Sequence, residues 1–220
     1  MAQDQFHFRF PQKHGERLAE DTWRIVARLG MTGVRRKPAG CAKRQVQKPP
    51  ERKGLRTDRQ KVLASVTKHG NSLKFATAAL RRDKEIVFTA VSQAGEALEH
   101  AAKELRQDRE IVLAAVGQNG YALEIVPDEL RSDHAVVLAA VSRDGDALEF
   151  AAEELKRNHD IVLAAVTQRG EALEFAAVEM QGNYEIVLAA VTQNGEALAF
   201  ASQELLGNRE IALAAMQTAG

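Results

Sequence analysis

The chain has a single cysteine, Cys41, in 220 residues, so no intramolecular disulfide can staple it, which fits a reducing compartment. Proline is scarce: of five, only Pro127 lies beyond residue 50. Aromatic residues make up 5% of the chain against 45% apolar residues overall, so the interior must be built from Ala, Leu, Val and Ile, which suits helices in close approach. No apolar run reaches the roughly 18 residues of a membrane-spanning helix. Residues 1–10 lack the apolar core of a secretory signal. These absences predict a soluble intracellular protein, cytoplasmic rather than nuclear.

There is no net excess of either charge, but the charge is segregated. Residues 1–57 hold 14 Lys and Arg against 5 Asp and Glu, and residues 58–220 hold 16 against 25, so a +9 leader precedes a −9 remainder.

What the remainder has is a period. Asp58, Asp83, Asp108, Asp133, Asn158, Asn183 and Asn208 are 25 residues apart, and Gly70, Gly95, Gly120, Gly145, Gly170, Gly195 and Gly220 keep the same interval. The repeats start at 58, 83, 108, 133, 158, 183 and 208, six complete and the seventh ending at its glycine. Each Asp or Asn is expected to be a helix N-cap, with the acid two residues on (Glu85, Glu110, Asp160, Glu185, Glu210) favouring the positive end of the helix. Twelve residues after the cap, each Gly is expected to supply the left-handed position that ends a helix. The intervening helix A, typified by Ile111–Val116, is apolar nearly all round, and its paired alanines permit close packing, so it is expected to form an inner, buried layer.

After the glycine comes helix B, as in Glu171–Met180. Ala172, Leu173, Ala176 and Met180 share a stripe there, while Glu171, Glu174 and Glu179 project outward. Pro127 removes a backbone donor from the third copy, so that helix B should break after about residue 126 and restart with Pro127 in its first turn. Ser202 in the sixth copy can cap a similar restart, so helix B is open to being two short pieces throughout. A single unit cannot bury its own apolar face, so stacking is forced. The predicted fold is all-α: an α-solenoid of 25-residue two-helix repeats over residues 58–220, preceded by a largely disordered basic leader.

The recurring string D-x-E-I-V-L-A-A-V-x-Q-N-G-x-A-L-E-F-A-x-x-E-L, nearly whole over 108–130 and again over 183–205, resembles an uncharacterised repeat family, the domain of unknown function 4116. The resemblance covers residues 58–220. It implies tandem short helical repeats and brings no catalytic residues with it. Pro127, the divergent first copy (Lys68, His69, Asn71, Ser72) and the shortened seventh depart from the pattern.

Within the leader, Leu18, Ile25, Val26 and Leu29 share a face of a candidate helix over 16–29 that Gly30 would stop. Residues 31–57 carry Arg35, Arg36, Lys37, Lys43, Arg44, Lys48, Arg52 and Lys53 among Pro38, Pro49 and Pro50, a linker composition. Such clusters serve nuclear import or contact with nucleic acid or acidic lipid, but more often are a solvated tail. A third role is intramolecular, attraction of the +9 arm to the −9 array.

The chain has no phosphate-cradling glycine loop, no zinc-spaced Cys/His set and no H-E-x-x-H motif. His134 and His159 occupy one repeat position, but a metal needs more ligands than that pair. The many glutamates recur in every copy, whereas an active site needs a unique constellation, so no enzyme, cofactor or metal is expected. Two function classes remain. One is a protein-interaction scaffold, whose partner row is Arg59, Lys84, Arg109, His134, His159, Tyr184 and Arg209. The other is nucleic-acid or acidic-surface binding through the leader, with the array as a spacer, since an array at −9 repels phosphate. The seventh copy lacks its helix B, so its edge is expected either to self-associate or to continue into a longer array.

Overall fold

The computed structural model describes residues 59–218. The candidate helix at 16–29, the linker 31–57, Asp58 and Gly220 lie outside the described residues.

Seven ten-residue helices recur at the expected interval. They are α1 (Arg59–Lys68), α2 (Lys84–Gln93), α3 (Arg109–Gln118), α4 (His134–Arg143), α5 (His159–Gln168), α6 (Tyr184–Gln193) and α7 (Arg209–Thr218). The caps work as their chemistry requires. The Asp133 carboxylate accepts from the backbone N–H of Ala135 at 2.9 Å and of Val136 at 3.1 Å, and the Asn183 amide oxygen accepts from Glu185 and Ile186 at 3.0 and 3.2 Å.

The helices end differently from expectation. The last residue before each glycine is extended, with φ −150° and ψ 105° at Ala94 and φ −148° and ψ 113° at Asp144, and no described glycine adopts a left-handed φ. Glycine is required instead by the neighbouring repeat. A Cβ built on Gly145 would stand 2.5 Å from the carbonyl oxygen of Ala165 and 2.9 Å from Cβ of Arg169, both one repeat further on. The Gly145 N–H donates to Oε1 of Gln168 at 2.6 Å, and the Gly95 N–H to Oε1 of Gln118 at 2.7 Å. The glycine is thus where consecutive repeats approach most closely.

Helix B is divided in every complete copy. Its first part is a six-residue 3₁₀ segment, as in Gly145–Phe150 and Gly170–Phe175. Residues three apart eclipse in a 3₁₀ turn, so Gly and the Leu three residues later both face inward, and Leu148 and Leu173 are fully buried. One or two extended residues follow, then a short second piece. That piece is α-helical at Lys103–Arg106, Asp128–Arg131, Val178–Gln181 and Gln203–Leu206, and 3₁₀ at Leu80–Arg82 and Leu155–Arg157.

Pro127 marks this division but sits at the N-cap (φ −59°, ψ 150°) rather than inside the first turn. Ser202 holds the same position in its copy without a side-chain cap bond. In four copies the backbone N–H at this position donates to the preceding repeat: Ala102 to Arg81, Ala152 to Arg131, Ala177 to Lys156 and Ser202 to Gln181, at 2.9 to 3.1 Å. Pro127 has no N–H, so the junction between the second and third repeats lacks this bridge.

Stacking buries a continuous core of Ile, Val, Leu and Ala. The end copies show which side chains face which neighbour. In α7, Ile211 and Ala215 are fully buried while Met216 is 51% exposed; in α1, Val62 and Val66 are buried while Lys61 is exposed. The Ile and Ala positions therefore pack on the preceding repeat, and the two Val positions on the following one. The result is an α-solenoid with a layer of ten-residue helices backed by a layer of 3₁₀ segments, and no strand among the described residues. The helix layer is not an inner layer. Its flanks and underside are covered, but Leu113, Ala114, Leu163 and Ala164 remain half-exposed on its outward face.

Candidate interaction surface

The outward face of the helix layer is set by helical spacing. The first, second, fifth, sixth and ninth residues of each ten-residue helix share it, because residues four apart lie on one side. The first of these is the row read from the sequence: Arg59, Lys84, Arg109, His134, His159, Tyr184 and Arg209. The structure aligns them one per repeat, and most reach across to the next copy.

Arg59 pairs with the cap Asp83 at 2.7 Å and also with Glu85, and Lys84 pairs with Asp108 at 2.9 Å and Glu110 at 2.8 Å. Nε of Arg109 lies 2.7 Å from Asp133, and Nε2 of His159 lies 3.4 Å from Glu185. Tyr184 hydrogen-bonds Glu210, which raises its phenol pKa. His134 and Arg209 form no ion pair among the described residues. His134 and His159 occupy successive helices, and no group of three or more His, Cys, Asp or Glu side chains is placed to hold a metal among the described residues.

These pairs hold the cap carboxylates Asp83, Asp108 and Asp133 below their usual range. Asp133 is lowered to about 2, first by its bond to Arg109, with the amides of Val136 and Ala135 adding to the effect against the opposing cost of burial. A depressed carboxylate pKa adds stability that is complete above the unfolded value of about 4 and is lost as pH falls through about 2. Asp133→Asn keeps the capping oxygen and removes the titration, so its melting temperature is expected to fall less than that of the parent between about pH 4 and pH 2. Equal losses measured by circular dichroism would show that Asp133 contributes nothing to acid sensitivity. Asp133→Ala removes the cap as well and is expected to cost about 1 kcal/mol at neutral pH.

Beside this row runs the less polar part of the face. A shallow groove of about 500 Å³ lies between α4 and α5, lined by Ser142, Asp160, Leu163, Ala164, Thr167 and Gln168. Sequence reading named the charged row but missed this groove. The signal was available in the i+4 partners of the row, Leu63, Phe88, Leu113, Leu138, Leu163, Leu188 and Leu213, each followed by Ala or Thr.

A second ladder ties the repeats at the other end of the helices. Arg169 bridges Asp146 at 2.6 Å and Glu171 at 2.7 Å, and the Tyr121 hydroxyl donates to Asp146 at 3.2 Å. Burial, then the neighbouring Asp144 and Asp146 charges, push the Tyr121 phenol up to about 12.

A family model described as Domain of unknown function (DUF4116) matches residues 58–106, 83–131, 133–181 and 183–220. The chain belongs to the DUF4116 family. The first two matches start 25 residues apart, and each of the first three spans two repeats, so the DUF4116 unit is a pair of the repeats seen here. No curated protein and no solved structure matches the chain. In this DUF4116 array the chemically distinctive positions recur in register, so the groove at α4 and α5 is one instance of a periodic surface. No described helix is long and apolar enough to cross a membrane.

Proposed function

We propose that the array is a non-catalytic protein-interaction scaffold that presents the outward face of its helix layer to a partner. The observation that carries this reading is the groove between α4 and α5. Half-exposed Leu163 and Ala164 lie there beside the small polar Ser142 and Thr167, with the Asp160 carboxylate at the edge. A surface of this kind suits an extended partner that lies across several repeats and gains from apolar contact at its centre. The row from Arg59 to Arg209 forms the rim of the site and helps to orient the partner.

The test is a nuclease-treated pull-down with the full chain, a Leu163→Glu/Thr167→Glu variant, and a variant with Arg35, Arg36, Lys37, Lys43 and Arg44 changed to Ser. A protein retained by the parent and the Ser variant but lost from the groove variant, with unfolding midpoints unchanged, supports the scaffold. Capture that needs the basic residues and disappears on nuclease treatment supports the alternative, nucleic-acid or acidic-surface binding through residues 1–57 with the array as spacer. Self-association through α7, whose Leu213 and Met216 are 48% and 51% exposed, is a further candidate contact. It predicts a light-scattering mass of twice the monomer that Met216→Gln returns to one.

A further inference from the structure

The 3₁₀ layer presents a second surface with a different character. Consecutive 3₁₀ segments pack side by side, and their fifth residues Glu99, Glu124, Glu149 and Glu174 are all exposed, with no ion pair among the described residues. The residue that follows is half-exposed in each: His100 after Glu99, and the apolar Ile125, Phe150 and Phe175 after the other three, with Phe200 at the same place after Ala199. Glu129, Glu154 and Glu204 on the second pieces of helix B are likewise exposed and unpaired among the described residues. Glu104 and Glu179 are approached only at 4.0 and 3.8 Å, by Arg82 and Arg157. On the helix layer, Glu85 shares Arg59 with the cap Asp83, and Glu110 shares Lys84 with the cap Asp108. Lys156 pairs with Glu153 at 2.9 Å and Arg131 with Asp128 at 3.6 Å on the same layer as the 3₁₀ segments, so what that layer keeps is a row of unpaired glutamates beside half-buried Ile125, Phe150 and Phe175.

The first copy shows what this surface accepts. Its fifth 3₁₀ residue is Lys74 instead of Glu, and the Lys74 ammonium lies 5.0 Å from the centre of the Phe75 ring. That is cation–π geometry on the first ring of the row. Further along the row, the Phe150 ring packs edge-on against Tyr121, with centroids 6.3 Å apart at 69°, which fixes its orientation.

We propose that this glutamate and ring surface is the docking face for the chain's own basic segment, residues 35–53. This inference does not rest on the scaffold reading of the other face. Three observations select this occupant. The segment holds eight Lys and Arg against one Glu, and the surface it would cover carries the unpaired row Glu99, Glu124, Glu149 and Glu174. Its 19 residues, extended at about 3.3 Å each, match the length of several stacked helices at about 8–10 Å per repeat, so its cations can meet successive glutamates. It joins the array at the first copy, so its docking is intramolecular, at an effective concentration on the order of millimolar. Guanidinium groups would lie on the ring row while their charges face the flanking carboxylates.

Cys41, the only cysteine, lies inside the segment and provides the probe. The full chain is ¹⁵N-labelled and carries a nitroxide on Cys41, and relaxation of the repeat amides is compared at about 20 mM and about 0.5 M salt, where the Debye length shrinks severalfold. The expected result is strong broadening centred on residues 95–104, 120–129, 145–154 and 170–179 at low salt, largely relieved at high salt. It should also be lost in a Glu99→Gln/Glu124→Gln/Glu149→Gln/Glu174→Gln variant with an unchanged unfolding midpoint. Broadening centred on the helix layer, broadening spread evenly over the array, no broadening, or broadening indifferent to the four substitutions would each overturn the proposal. So would equal broadening in a mixture of ¹⁵N chain without nitroxide and ¹⁴N chain with it, which would make the occupant a second copy.

Discussion

Gly145→Ala is expected to lower the stability of the array by about 3 kcal/mol, the upper part of the usual range for overpacking, although it adds a single methyl group. The added Cβ would stand 2.5 Å from a backbone carbonyl oxygen in the next repeat, 2.9 Å from Cβ of Arg169 and 3.0 Å from Oε1 of Gln168. A flexible side-chain end could move aside, but a carbonyl inside α5 can yield only by separating the two repeats. Separation would also lengthen the bond from the Gly145 N–H to Gln168, worth about 1 kcal/mol. Gly117→Ala is the control. Its Cβ would meet nothing within 4 Å, and it lies inside α3, so the same change is expected to stabilise by roughly 0.5–1 kcal/mol. Urea unfolding of both variants decides the matter. If Gly145→Ala unfolds at the parental midpoint, the glycine is not the contact point between repeats.

Leu173→Ala has the other large effect. Leu173 is fully buried in the 3₁₀ segment of the fifth copy and belongs to the continuous core. The chain around it is pinned twice. Just after the segment, the Ala177 N–H donates to the Lys156 carbonyl of the preceding repeat at 3.0 Å, and the Gln181 side-chain amide donates to the Leu173 carbonyl at 3.2 Å. Little collapse into the void is open to it, so the loss is expected to be about 2–5 kcal/mol. Because each repeat contacts only its neighbours, the loss should be concentrated around the fifth and sixth copies. Hydrogen exchange is expected to show loss of protection in α5 and α6 before α2. A uniform loss would mean that the array unfolds as one cooperative block.

The parts of this fold legible in the sequence were those governed by local chemistry. Asp or Asn at a fixed interval marks a helix start because a short acceptor satisfies the first amides, and the structure has that bond at Asp83, Asp108, Asp133, Asn158, Asn183 and Asn208. Pro127 exposed the division of helix B because its chemistry forbids a continuous helix there. The errors arose where the deciding partner is 20 or more residues away. Gly145 resembled a helix terminator, yet its constraint is the Ala165 carbonyl. Whether Gly170–Phe175 winds as a 3₁₀ or an α turn depends on packing against α5 and α6, which leaves no local signature. The row from Arg59 to Arg209 was visible as a row. That Arg59, Lys84 and Arg109 spend their charge on the cap of the next helix depends on the stacking register, which one repeat alone does not specify.

The caps also change chemical type along the chain. Asp83, Asp108 and Asp133 are carboxylates with lowered pKa, each clasped by a cation from the repeat before, whereas Asn158, Asn183 and Asn208 are neutral amides. Protonation can therefore loosen the starts of α2, α3 and α4 but leaves the caps of α5, α6 and α7 as they are. The helix starts are thus proton-sensitive in one half of the solenoid and proton-indifferent in the other, so acid loosens them from one side.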